Sequence, residues 1–137
     1  MDKIKTARMS TTLVTGATGL AGYNIVKVLL KRNRKVRALV RSIEKGRKIL
    51  PNTVELVQGD ITDKSSLIEA MKGCNIIYHA AGYPEQWQKD PETFHRVNVA
   101  GTQNMIDVAI ESKIEKFIYT STIDVFEGKK ESFLMRV

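Results

Sequence analysis

Thr15-Gly16-Ala17-Thr18-Gly19-Leu20-Ala21-Gly22 sets three glycines at the first, fourth and seventh positions counted from Gly16. Upstream, Leu13 and Val14 with Thr11 and Thr12 make a β-rich run that stops abruptly at Gly16, as a buried strand does on meeting a tight turn. Downstream, Leu20, Ile25, Val26, Val28, Leu29 and Leu30 recur at helical spacing and run into a basic cluster at 31–35, which suits the negative end of a helix. Without Cβ atoms the turn lets a diphosphate approach the backbone. The helix N-terminus offers unpaired N–H groups and about half a positive charge, and the third glycine lets helix and strand pack closely. A tight turn without a ligand is the plainer reading of the glycines alone; the order strand, turn, helix favours phosphate.

Working outward, Val36, Ala38, Leu39 and Val40 read as a second strand and 43–50 as a short helix stopped by Pro51. Val54, Leu56 and Val57 read as a third strand, closed by Gly59 and Asp60. Asp63 stands where a helix cap would, ahead of Leu67, Ile68, Ala70 and Met71, with Gly73 at the far end. Ile76, Ile77 and Tyr78 make a fourth strand, and Phe117, Ile118 and Tyr119 a fifth. Between these two, 91–112 reads as one long helix with Phe94, Val97, Val99, Met105, Ile106, Val108, Ala109 and Ile110 on or near its apolar stripe. Strict alternation of strands and helices implies an α/β fold. The expected architecture is a Rossmann-type doubly wound parallel sheet of five strands in the order 3-2-1-4-5, with helices on both faces.

The bulk properties agree. A chain of 137 residues, 42% apolar and 27% charged, has the size and composition of one soluble domain and not of a disordered or fibrous chain. The uncharged stretch at 73–84 is well short of the roughly 20 apolar residues of a membrane span, and Lys3, Lys5 and Arg8 precede no apolar run of the secretory kind. The lone Cys74 fits a reducing compartment, so a cytoplasmic protein with no membrane partner is expected, Cys74 serving as a small core residue. The net charge of +7 is concentrated: ten basic residues between Lys27 and Lys48 face Glu44 alone, a local balance of +9 against −2 elsewhere. No interleaved aromatic residues or nucleic-acid-binding motif accompany this patch, so no nucleic-acid partner is expected.

Five motifs in order give the chain a resemblance to the extended short-chain dehydrogenase/reductase family, which includes nucleotide-sugar epimerases and dehydratases, dihydroflavonol-reductase-like enzymes and 3β-hydroxysteroid-dehydrogenase-like enzymes. Besides the glycine turn these are Gly59-Asp60-Ile61, His79-Ala80-Ala81-Gly82, Asn98-Val99-Ala100-Gly101-Thr102-Gln103-Asn104 and Tyr119-Thr120-Ser121-Thr122. The resemblance spans 12 to about 128. It divides the chain into a polar extension at 1–10, a dinucleotide-binding Rossmann domain at 11–128 and a tail at 129–137 unlike the family. It implies cofactor contacts from Gly16, Thr18, Gly19, Leu20 and Gly22 to the diphosphate, from Asp60 and Ile61 to the adenine, and from Ala80, Ala81 and Gly82 beside a ribose. Asn98 belongs to the same cofactor-site motif, although mid-helix it suits a structural hydrogen bond to the fourth strand or a water. Asp60 also suits a turn or capping carboxylate, and His79, with no carboxylate or nucleophile nearby in sequence, is not expected to act as a base. Trp87 with Tyr83 and Pro84 forms a loop that borders a substrate pocket or simply anchors itself.

The cofactor expected is NADP, NAD being the weaker candidate. A site that prefers NAD carries a carboxylate about 20 residues past the glycines for the ribose 2′-OH, and here Arg41 and Ser42 stand in that place, with Lys45 and Lys48 behind. The family's proton donor is a Tyr-x-x-x-Lys pair after the fifth strand. The single match in this chain, Tyr23 to Lys27, lies in the first helix, so the pair is expected to be absent, as in a truncated, excised or frame-shifted product. Thr122, with Ser121 second, aligns with the family's catalytic hydroxyl. The expected function is the NADP-binding part of an oxidoreductase or epimerase/dehydratase acting on a small carbonyl or hydroxyl substrate, inactive alone; a nucleotide-binding sensor or regulatory module is the alternative. Self-association is expected through the exposed edge of the fifth strand or through the long helix at 91–112.

Overall fold

In the computed structural model the described residues are 10–83 and 90–121. The chain folds as β1 (Thr11–Thr15), α1 (Leu20–Lys31), β2 (Val36–Val40), α2 (Ile43–Ile49), β3 (Glu55–Gln58), α3 (Lys64–Met71) and β4 (Cys74–His79). A short α4 (Pro91–Phe94) then continues as a π-helical segment (His95–Gly101) into α5 (Thr102–Glu111), and β5 (Lys116–Tyr119) follows. The five strands form one sheet in the order β3-β2-β1-β4-β5, every neighbouring pair parallel. Val14 pairs with Ala38 on one side, and Thr15 with His79 on the other.

The two-residue period of the strands divides the core. Leu13 and Leu39 point to one face, where they meet Leu67, Ala70 and Met71 of α3 and Met105, Val108 and Ala109 of α5. Val14, Val36, Ala38 and Val40 point to the other, against Val26 and Leu29 of α1 and against Leu50 and Val54. β1 is buried along its whole length because it is the central strand with both faces covered. Cys74 is a buried core residue as expected, and burial pushes its thiol pKa up.

Part of the basic cluster is structural. The Arg37 guanidinium donates to the carbonyls of Ala70 (2.8 Å) and Lys72 (2.6 Å), which satisfies the end of α3, and pairs with Glu55 at 3.1 Å. Arg47 donates to the Val54 carbonyl, Lys48 pairs with Glu44, and Lys27 lies over the Tyr23 ring.

The long helix expected over 91–112 is interrupted by the π-helical segment. Asn98, Thr102 and Asn104 each reach a different fixed partner, namely the Tyr83 main chain, the His79 ring and the Ile61 carbonyl. A widened turn lets one helix satisfy all three. The expected apolar stripe is correspondingly narrower: Met105, Val108 and Ala109 are buried, whereas Phe94, Val99, Ile106 and Ile110 are exposed. Among the described residues β3 and β5 are the two edges of the sheet, β5 with Phe117 packed inward and Ile118 and Tyr119 exposed. No described helix is long and apolar enough to cross a membrane.

Candidate functional site

A cleft of about 410 Å3 opens at the carboxyl ends of the strands, where the strand order reverses between β1 and β4. Its first wall is the glycine turn. Gly16 has φ +66°, and a Cβ there would lie 2.5 Å from the Ala80 carbonyl oxygen, so the turn presses against the end of β4 as only glycine can. At Gly22 an added Cβ would run into the Gly16 carbonyl, which is the close helix-to-strand approach expected of the third glycine. α1 starts from Gly19 with no side chain capping its first turn, whereas Ser42, Asp63 and Asp90 cap α2, α3 and α4. Its leading N–H groups are therefore left to the cleft, and Gly16, Thr18 and Gly19 line it. Leu20 and Gly22 do not line it: the Leu20 side chain is 86% exposed, and Gly22 is buried behind the turn.

The floor comes from the ends of β2, β3 and β4: Arg41, Asp60, Ile61, Ala80, Ala81 and Gly82 all border the cleft. Arg41 is exposed. Its carbonyl accepts from Gln58 Nε2 at 3.3 Å, and its residue also borders an adjoining depression with Thr18, Ser42 and Lys45. Asp60 serves its own turn as well, since Oδ1 accepts from the Thr62 amide (2.9 Å) and hydroxyl (2.8 Å).

The facing wall is Thr93, Arg96 and Val97, with Tyr83 at the foot. Tyr83 belongs to the loop singled out in the sequence, whereas the motifs do not mark the other three; the spacing 93, 96, 97, which puts three side chains on one helical face, is the signal that could have found them. Asn98 is not in the cleft wall. Its Oδ1 accepts from the Tyr83 amide at 2.7 Å and its Nδ2 donates to the Tyr83 carbonyl at 3.0 Å, so its side chain is committed to fixing the strand exit, as the structural reading had it.

His79 is fully buried beneath the floor, its two ring nitrogens 2.6 Å from Thr15 Oγ1 and 3.1 Å from Thr102 Oγ1. The Ala81 amide donates to Thr15 Oγ1 at 3.2 Å. One arrangement that satisfies all these groups has the Thr15 hydroxyl donating to Nδ1 and Nε2–H donating to Thr102 Oγ1. The ring stacks on Tyr119 at 5.3 Å, and burial lowers its pKa to about 4. Fully buried and with both nitrogens at hydrogen-bond distance from a threonine hydroxyl, it joins β1, β4 and α5. Tyr23 packs against the α1 side of the core and is not in the cleft. Ser121 is exposed just past β5 and outside the cleft wall, while Thr122, Pro84 and Trp87 lie outside the described residues. Among the described residues no cluster of His, Cys, Asp and Glu could hold a metal.

Comparison with known proteins agrees with this geometry. A family model described as NAD dependent epimerase/dehydratase family matches residues 12–134. A putative dihydroflavonol 4-reductase of Synechocystis is 39% identical over 110 residues, which cover 80% of this chain and 32% of that protein. The mouse 3 beta-hydroxysteroid dehydrogenase type 7 is 37% identical over 120 residues, 82% of this chain and 32% of the relative. The Thermus thermophilus UDP-glucose 4-epimerase, solved in complex with NAD, superposes with a TM-score of 0.75 at 28% identity, over 82% of this chain and 37% of that one. The chain thus spans about a third of the length of the relatives it matches. Five parallel strands in this order, a glycine turn with no room for a Cβ at Gly16 or Gly22, and a family match over nearly the whole chain place it in the NAD dependent epimerase/dehydratase family of extended short-chain dehydrogenases/reductases.

Proposed function

We propose that the chain binds NADP in the cleft and forms the cofactor-holding part of an oxidoreductase or epimerase/dehydratase acting on a small carbonyl or hydroxyl substrate. The observation that carries the choice of NADP is Arg41: it ends β2 beside the cleft, exposed and without a side-chain partner among the described residues, where a carboxylate would serve the ribose 2′-OH of NAD. Ser42 and Lys45 border the same depression, which suits a 2′-phosphate. The Gly16 to Gly19 turn, with its uncapped helix start, would take the diphosphate; Asp60 and Ile61 the adenine; Ala80, Ala81 and Gly82 the second ribose. Bound there, the nicotinamide supplies hydride transfer. The one Tyr-x-x-x-Lys of these 137 residues, Tyr23 to Lys27, sits in α1 away from the cleft wall, so the chain by itself is expected to hold the cofactor without turnover.

Titration calorimetry of the 137-residue chain with NADPH and NADH tests this. NADPH is expected to bind about ten- to a hundred-fold tighter, the difference disappearing in Arg41→Ala. Equal affinities in the unaltered chain overturn the NADP assignment.

A further inference from the structure

We infer that Arg96 is a second nucleotide-binding arginine, which meets the cofactor's phosphates from the wall facing the glycine turn and sets affinity without distinguishing NADP from NAD. The inference rests on the chain binding a dinucleotide in this cleft. Arg96 belongs to the π-helical segment, where hydrogen-bonded rings join residues five apart. Gly101 is five residues on, and a Cβ built there would be 3.5 Å from the Arg96 carbonyl oxygen, which places Arg96 one turn along the helix from Gly101. Gly101 itself abuts the Ile61 side chain, and Asn104 donates to the Ile61 carbonyl at 3.0 Å. The helix is therefore pinned to the Asp60 and Ile61 side of the cleft, and one turn from that pin the Arg96 residue borders the opening.

The charges lining the cleft point to the ligand chemistry. They are Arg41, Asp60 and Arg96. Asp60 Oδ1 is taken by Thr62, whereas neither arginine side chain has a hydrogen-bond or ion-pair partner among the described residues. Two guanidinium groups without partners among the described residues, one on the floor and one on the helical wall, suit a ligand with more than one anionic group, and a dinucleotide carries its diphosphate between the two riboses. The backbone donors of the glycine turn take that diphosphate from one side and leave the other side to a cation on the helix.

Calorimetry with NADPH and NADH on Arg96→Gln, Arg96→Lys and Arg41→Gln separates the roles. Arg96→Gln is expected to weaken both cofactors in parallel, about tenfold each, and to flatten the salt dependence of both; Arg96→Lys should retain part of the affinity. Arg41→Gln is expected to weaken NADPH alone. A thermal melt of each variant without cofactor checks the fold, which an exposed side chain should leave unchanged. If the unaltered chain binds both nucleotides and Arg96→Gln binds them equally well, or loses only NADPH, this role for Arg96 is wrong. If the unaltered chain binds neither, the cofactor reading itself fails.

Discussion

The two walls of the cleft are made by opposite means. On the β1–α1 side the surface is backbone, and its shape depends on side chains being absent: Gly16 lies against Ala80, and Gly22 against Gly16. On the facing side the surface is side chain, carried by a helix whose position depends on three polar attachments, from Asn98 to Tyr83, Thr102 to His79 and Asn104 to Ile61. The first wall tolerates no added Cβ at Gly16 or Gly22, because main chain already fills that space. The second accepts many side chains at its surface but shifts if an attachment is cut. One site can thus combine a rigid phosphate cradle with an adjustable wall.

The largest expected break is Gly16→Ala. The added Cβ would sit in the Ala80 main chain at a positive φ, so a loss of about 2–4 kcal/mol and no measurable cofactor binding are expected, read by thermal melt and calorimetry. An alanine variant of unchanged melting temperature would show that this wall yields.

His79, at the seam between the walls, gives a pH signature of about 3 kcal/mol. The unfolded chain takes up a proton near pH 6.5 that the folded chain refuses until about 4. The unfolded state therefore binds more protons inside that window. The contribution is complete above pH 6.5 and is lost progressively as pH falls to about 4. Denaturant melts from pH 7.5 to 4 should show this slope, and His79→Gln should flatten it; an equal slope in both proteins would assign the effect to other groups.

The mildest break is Asn98→Ala, which removes both hydrogen bonds to the Tyr83 main chain and should cost about 1–2 kcal/mol. Faster hydrogen exchange at the Tyr83 amide, with that of Val14 unchanged, would show that only the side-chain wall loosens.

The same division decides what is legible in sequence. The strand-turn-helix order around the glycines, Arg41 just past β2 and the Asp63 cap are set by neighbours a few residues away, and the periodicity that predicts β1, β2 and α3 carries that information. For Arg96 and Thr93 the same periodicity puts both on one helical face but does not say what that face meets. They reach the cleft because Asn98 and Asn104 tie their helix to loops 15 and 43 residues distant. The π-helical segment leaves no mark on composition either, since a widened turn uses ordinary residues. Asn98 shows the limit from the other direction: its motif suggests a cofactor contact but does not announce the two hydrogen bonds its amide makes to the Tyr83 main chain.

The central place of β1 has a consequence for synthesis. Its partner on one side, β2, follows within about two dozen residues, but the other, β4, is reached only at the Thr15 to His79 pairing, 64 residues later. At about 5–20 residues per second a ribosome needs roughly 3–13 s to cover that distance. During that interval the glycine turn has no Ala80 to rest against, and one edge of the strand that is buried along its whole length is unpaired. A nucleotide cannot shorten this wait, because the pocket it would fill appears only when the second half of the sheet closes on the first.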